Sequence, residues 1–330
     1  MKKSLIYLFS LLCMLTLVTS CSDDEKGGTD DAWKEISKDY TSDKLSIGTV
    51  STSGTISVNA ASADKATIIL NNVVAGESSV SVDATLTKTD AGYAFEGEST
   101  ATTCNVKVSG TIENGKLTAA ISRTLTSALA GTLNLNYVPY MNDMQIAQAH
   151  ARFNTGDAQM DAMLNGMAAP VVGQLIAKEV ESVTVNLGEE GTFSFSFKKV
   201  GASEETVMPP AKLQEMIKSY LTWYEKENVL YLAVHKDALT ILSGLNILPE
   251  NIDLETILGL LTVEGDYYTI PLQVKEEDGL TTIYLNKDIL VKAWEVAKPF
   301  VGKIPENILN TINVVMASAK EIEVGLVFKK

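Results

Sequence analysis

The chain has 330 residues, a formal charge of −14 with a pI near 4.7, 45% hydrophobic residues, two histidines and three cysteines. That apolar share is too high for a disordered chain, and 22 Gly with 8 Pro exclude a collagen-like polymer. The acidity argues against binding nucleic acid, whose affinity rests on Lys and Arg neutralising phosphates; three cysteines build no disulfide framework, and two histidines leave little for a metal site.

Residues 1–20 divide into a basic start (Lys2, Lys3), an apolar run from Leu5 to Val18, and the small residues Thr19 and Ser20. A run of about 14 residues has the length of a secretory signal and falls short of the ~20 that a membrane span needs. Val18-Thr19-Ser20-Cys21 resembles the lipobox of bacterial lipoproteins, with Cys21 at the cleavage position. The resemblance implies that the signal is cut before Cys21, that the Cys21 thiol receives a diacylglycerol, and that the new amine is acylated. Membrane contact would then run through acyl chains, at ~0.8 kcal/mol per buried CH₂. The acidic cluster Asp23-Asp24-Glu25 directly behind the cysteine resembles the surface-export signal of Bacteroidota lipoproteins, which implies an outer-membrane protein facing the cell exterior. A plain solvated tether has the same composition. Segment 21–44 is polar apart from Trp33, Ile36 and Tyr40 and reads as a lipidated flexible tether, with a reach of about 25 Å. Without residues 1–20 the chain keeps 25 basic and 41 acidic side chains, or −16.

Residues 45–138 are rich in Ser, Thr, Val, Ala and Gly and alternate with period two, as in Ser79-Val80-Ser81-Val82-Asp83-Ala84-Thr85-Leu86. Turns at Thr89-Asp90-Ala91-Gly92 and Glu113-Asn114-Gly115-Lys116 supply residues that tolerate φ > 0. About seven strands are predicted, near 54–59, 66–71, 79–87, 92–98, 104–112, 116–122 and 131–137, making an antiparallel meander that is barrel-like or a strongly curved sheet. Val106–Leu117, together with Gly92-Tyr93-Ala94-Phe95-Glu96-Gly97, resembles the calycin-like (lipocalin-like) barrel domains of Bacteroidota lipoproteins. Cys104 sits in a strand-like run, where a free cysteine is commonly buried.

Residues 139–330 mix helices with hairpins and read as an α+β domain, an antiparallel meander with inserted helices. Between 157 and 180, Met160, Met163, Leu164, Met167, Val171, Leu175 and Ile176 recur at spacings of three and four, predicting a helix whose apolar face packs inward, with Pro170 able to kink it. A weakly helical stretch covers 144–153. Hairpins are predicted over 183–199, 220–235 and 267–285, each followed by a helix; Asp253 caps 254–261 and Asn286 caps 287–298. A helix over 305–319 and a strand over 321–329 close the chain, whose ending, Ala319–Val327, is similar to that of two-domain lipoproteins of the same bacterial group.

The chemistry is sparse. There is no Gly-x-Ser-x-Gly elbow, no His-Glu-x-x-His, no Gly-rich phosphate loop and no EF-hand loop. His235 reads as a surface residue at a strand end, and His150 lies in the weakly helical stretch; neither stands near Cys104 in sequence, and a Ser-His-Asp arrangement could be built only around one of these two. Forty-one acids are enough for the carboxylate pair of a glycosidase, but no spacing selects one. Aromatic side chains that can stack on sugar rings concentrate in Trp223, Tyr224, Tyr231, Tyr267 and Tyr268, with Trp223 and Tyr224 on opposite faces of one strand. The expectation is therefore a non-enzymatic, lipid-anchored accessory or binding protein without a cofactor or metal. Two alternatives stay open: a carrier of a small apolar ligand or glycan in a lipocalin-like barrel, and a glycan-acting hydrolase using paired carboxylates.

Overall fold

A computed structural model describes residues 31–48, 50–210, 213, 217, 219–239, 258–297 and 306–330. The expected signal, Cys13, Cys21 and the acidic cluster lie outside the described residues, as does most of the helix expected over 254–261. Among the described residues no helix is long and apolar enough to cross a membrane.

Trp33–Lys330 forms one compact unit, and it is mostly β. Its first sheet contains β1 (Asp39–Tyr40), β2 (Leu45–Ile47), β3 (Thr55–Ser62), β4 (Lys65–Asn71), β5 (Ser79–Lys88), β6 (Gly92–Thr100), β7 (Cys104–Glu113) and β8 (Lys116–Leu125). Alternation makes the strands: in β5 every second residue, Val80, Val82, Ala84 and Leu86, is buried, and the residues between them are exposed. Asn114 and Gly115 take φ of 50° and 74°, the pair of positive values a tight two-residue hairpin demands. The strand order β1-β3-β4-β5-β6-β7-β8-β2 leaves β1 and β2 at the two edges. These strands are joined by a single 3₁₀ turn at Ser42–Lys44, so the chain itself bridges the edges of a nearly closed, barrel-like sheet. Tyr40 plugs the bridge. It is fully buried, donates its hydroxyl to Ile36 O at 3.1 Å, and burial pushes its phenol up to about 12. Residues 36–44 are thus part of the fold and not a flexible tether: Ile36, Tyr40 and Leu45 are anchors that a polar-looking segment hid.

The second sheet contains β9 (Gly131–Leu135), β12 (Ala149–Asn154), β13 (Val180–Leu187), β14 (Phe193–Lys199), β15 (Thr206–Met208), β16 (Leu221–Lys226), β17 (Val229–His235), β18 (Thr262–Glu264), β19 (Tyr267–Glu277), β20 (Leu280–Asn286) and β21 (Glu321–Lys329). Between β9 and β12, the strands β10 (Tyr137–Tyr140) and β11 (Met144–Ala147) form a separate hairpin. Nine strands run β15-β14-β13-β9-β21-β20-β19-β17-β16, with β12 added on β21 and β18 on β19. The helices α1 (Ala158–Glu179), α2 (Lys287–Ala297) and α3 (Glu306–Ser318) accompany them. Asp157 caps α1, accepting from the backbone N–H of Gln159 and Met160, and Asn286 caps α2 through Ile289 N–H at 3.2 Å. The helix α1 continues through Pro170.

Three expectations are corrected here. The seventh strand of the first half, β9, joins the second sheet by pairing with β13 and β21. The stretch expected to be weakly helical is two strands, because Met144–Ala147 pair with Tyr137–Tyr140 of β10 and Ala149–Asn154 pair with Glu321–Leu326 of β21. The division near 138 does not separate two cores: one apolar cluster contains Ile56, Val82 and Phe95 of the first sheet together with Leu133, Leu187, Trp223 and Leu230 of the second.

Polar clasps hold the sheets together above that core. Ser53 gives Asp266 both its backbone N–H and its hydroxyl at 2.7 Å, and Lys236 Nζ lies 2.5 Å from the same carboxylate. Ser51 does likewise for Asp237, at 2.9 and 2.8 Å. Burial by itself raises the Asp266 carboxyl, but the Lys236 and Ser53 donors outweigh it and hold the group below the usual carboxylate range. A carboxyl depressed by folding stabilises the fold above its unfolded pKa of about 3.9, and that contribution fades as pH falls through the folded value. Asp266→Asn is expected to lose about 2 kcal/mol at pH 7. Denaturant midpoints taken at pH 7 and at about pH 3 should show the gap between variant and parent closing on the acid side.

Candidate functional site

A cleft of about 310 Å³ is lined by Gly76, Tyr224, Lys226, Glu227, Val229, Tyr231 and Glu264. It forms where the β4–β5 loop of the first sheet meets β16, β17 and β18 of the second. Antiparallel pairing sets Tyr224 of β16 directly opposite Tyr231 of β17, and their rings stack with centroids 4.9 Å apart and planes 12° from parallel. The turn between these strands is Glu227-Asn228, both at positive φ, and it carries Lys226 and Glu227 to the rim. From the other side β18 brings Glu264, whose Oε2 accepts the Tyr224 hydroxyl. Gly76, at φ +86°, lets the β4–β5 loop touch the tyrosine: a Cβ there would stand 2.7 Å from Tyr224 Cδ2.

The two rings play different parts. Tyr224 is only 2% exposed, and burial, reinforced by the bond to Glu264, drives its phenol far above the ordinary value. It is a fixed wall. Tyr231 is half-buried, its phenol raised first by burial and then by Glu264 and Glu227, and it is the ring that a ligand can reach. An aromatic face ringed by two carboxylates and one ammonium suits a polyhydroxylated molecule, whose C–H face stacks while its hydroxyls bond the rim.

Of the five aromatic residues picked from sequence, the structure brings only Tyr224 and Tyr231 together here. Trp223 is fully buried, donating Nε1–H to Gly188 O at 2.9 Å, and so it pins the β13–β14 turn. Tyr267 packs edge-on against His235 at 5.1 Å, and Tyr268 lies beside Val234. Trp223 and Tyr224 are both buried, although they point to opposite faces, because the β13–β14 turn covers one face of β16 and the β4–β5 loop the other. Glu264, Lys226, Glu227 and Gly76 carried no signal in the sequence, since their common feature is arrival from three separate segments.

The histidines are also placed. His235 is 2% exposed instead of lying at the surface; burial lowers its pKa against the pull of Asp237 and Asp266, and the Asp237 N–H donates to its Nδ1 at 3.2 Å. That bond leaves a neutral ring with its proton on Nε2. Ser51, Asp237 and His235 are neighbours, but the Ser51 hydroxyl donates to the Asp237 carboxylate and not to the imidazole, which is not the serine–histidine pairing of a nucleophilic triad. His150 Nε2 lies 2.7 Å from Glu323 Oε2 across the β12–β21 pair. Cys104 is buried, and burial raises its thiol. Among the described residues no three His, Cys, Asp or Glu side chains converge as a metal would require. No protein-family model, no curated protein and no solved structure matches the chain.

The Tyr224 environment has a spectroscopic consequence. Replacing an exposed tyrosine removes phenolate absorbance that develops around pH 10, whereas Tyr224→Phe is expected to leave the amplitude gained up to about pH 11 unchanged. An alkaline absorbance titration of the two proteins makes the comparison, and a loss of one tyrosine's worth of signal below that pH contradicts the buried, Glu264-bonded phenol.

Proposed function

We propose that this chain is a lipid-anchored outer-membrane binding protein, displayed toward the cell exterior, that holds a glycan at the Tyr231 cleft without transforming it. The observation behind binding is the stacked Tyr224–Tyr231 pair with Glu227, Glu264 and Lys226 around one concavity. The anchor rests on Val18-Thr19-Ser20-Cys21 and the acidic residues after it. The similarity to calycin-like lipoprotein barrels is part of the same reading. The cleft is preferred to the barrel interior as the ligand site because the inward residues of β3–β8, from Ile56 to Leu117, pack against one another.

Binding is tested by calorimetry against a panel of neutral oligosaccharides. Loss of one aromatic stacking partner, Tyr231→Ala, is expected to weaken the best binder about tenfold or more, while Tyr231→Phe retains it. Equal affinities for the parent and the alanine variant would remove the cleft from consideration. A second reading is favoured by one feature, two carboxylates on one cleft beside a reachable ring: a glycan-acting hydrolase with Glu227 and Glu264 as the pair. Release of reducing ends that vanishes in Glu227→Gln would establish that reading in place of the first.

The anchor is tested in cells. Cys21→Ala is expected to leave the membrane fraction for the soluble one, and protease added to intact cells should degrade the parent protein. Retention of the alanine form on the membrane refutes lipidation at Cys21, and a protease-resistant parent refutes outward display.

A further inference from the structure

The Tyr231 cleft carries two acids whose charge the fold leaves uncompensated. Glu227 and Glu264 both line it, and among the described residues no lysine, arginine or histidine forms an ion pair with either. Elsewhere the chain does pair its acids: Glu323 meets His150 and Arg152, Glu181 meets Lys198, and Asp266 meets Lys236. Glu264 has one bond inside the fold, from the Tyr224 hydroxyl to its Oε2, and this uses one of its two oxygens. Lys226 reaches the same rim without pairing with either acid, so two carboxylates against one ammonium leave the cleft one negative charge in excess.

That charge is directed at the ring a ligand can reach. Burial raises the Tyr231 phenol first, and the charges that raise it further are those of Glu264 and Glu227. A molecule seated on Tyr231 takes water away from both acids. A carboxylate that loses hydration costs free energy unless a partner replaces the water, and a cation replaces it with charge attraction that a neutral hydroxyl lacks. The same cation gains from the π electrons of a neighbouring tyrosine ring. The chain's overall charge of −14 adds a field that draws cations toward the surface and turns acidic sugars away.

We infer that the glycan of this cleft is an amino sugar, a hexosamine whose protonated amine is held by Glu227 and Glu264 while its ring stacks on Tyr231. The inference rests on the glycan-binding reading of the cleft and adds the charge of the ligand to it. It is tested by calorimetry on the full-length protein, using a fully deacetylated glucosamine tetrasaccharide and its N-acetylated counterpart. At about pH 6 the sugar amines are charged, since such an amine titrates near pH 8, as an α-amino group does. The deacetylated sugar is expected to bind at least about tenfold tighter there. Glu227→Gln, at an exposed turn residue away from the Tyr224–Glu264 bond, should remove most of that advantage and spare the N-acetylated sugar. Tyr231→Ala should weaken both. At about pH 9 the amines discharge, the raised Tyr231 phenol stays protonated, and the two sugars should bind alike. Equal affinities at pH 6 that still depend on Tyr231 overturn the inference and leave the cleft as a glycan site. A preference indifferent to Glu227→Gln or Tyr231→Ala overturns it as a general attraction of cations to an acidic surface. Binding of neither sugar overturns both readings.

Discussion

Arg123 ties the two sheets to each other. It projects from β8 of the first sheet, and its Nη1 donates to Ala75 O of the β4–β5 loop at 3.0 Å. Its Nη2 donates to Trp223 O of β16 at 3.1 Å and to the Thr222 hydroxyl. A guanidinium taken out of water costs several kcal/mol unless its N–H groups find acceptors, so a chain that buries one must bring those acceptors to it. Burial lowers the pKa of Arg123, and the group nevertheless stays charged, as guanidinium does. The cation thereby fixes where three separate segments meet. The same demand explains the glycine at the β13–β14 turn. Gly191, at φ +83°, accepts from Trp223 N–H at 2.9 Å, and a Cβ there would stand 2.4 Å from Nη2.

The cleft is a consequence of that junction. With Ala75 held to the cation, Gly76 comes against the Tyr224 ring, and with Trp223 O held to it, β16 presents Tyr224 on the opposite face. The tyrosine pair is therefore placed by backbone carbonyls that answer a charge, and only afterwards by packing. Clasps such as Ser51–Asp237 and Ser53–Asp266 repeat the device at the rim, using hydroxyls and carboxylates in place of a cation. A Ser- and Thr-rich, acidic composition is what such a seam consumes.

Most of the first sheet was legible from the sequence, because strands such as β5 alternate residue by residue and the turns before β5, β6 and β8 carry Gly at positive φ. What was not legible has a common physical cause. Tyr40 closes the sheet from a segment too polar to announce a strand, β9 crosses to the second sheet without any change in its pattern, and Glu264 reaches Tyr224 from 40 residues away. Period and composition report which residues want to leave water; they do not report which partner receives them. Trp223 and Tyr224 illustrate the limit on a single strand, since opposite faces were expected of them and a cover over both faces was not.

The helix α1 extends the point from partner to side. Apolar residues at spacings of three and four establish that a helix forms, but when every row is apolar the pattern does not select the inward one. Here the choice is made by close approach. Gly173 is the residue of α1 that is buried, and a Cβ there would stand 2.2 Å from the Ala147 carbonyl of β11, so the side that carries it turns inward, with Ile176 and Leu164 packed beside it. Asn165 bonds both backbone groups of Phe153 from an exposed position. Met163, Met167, Val171 and Leu175 are 55%, 60%, 47% and 58% exposed, which corrects the expectation of an inward face for the methionines. Spacing establishes the helix, and the one contact that only a glycine permits selects the side of it that is covered.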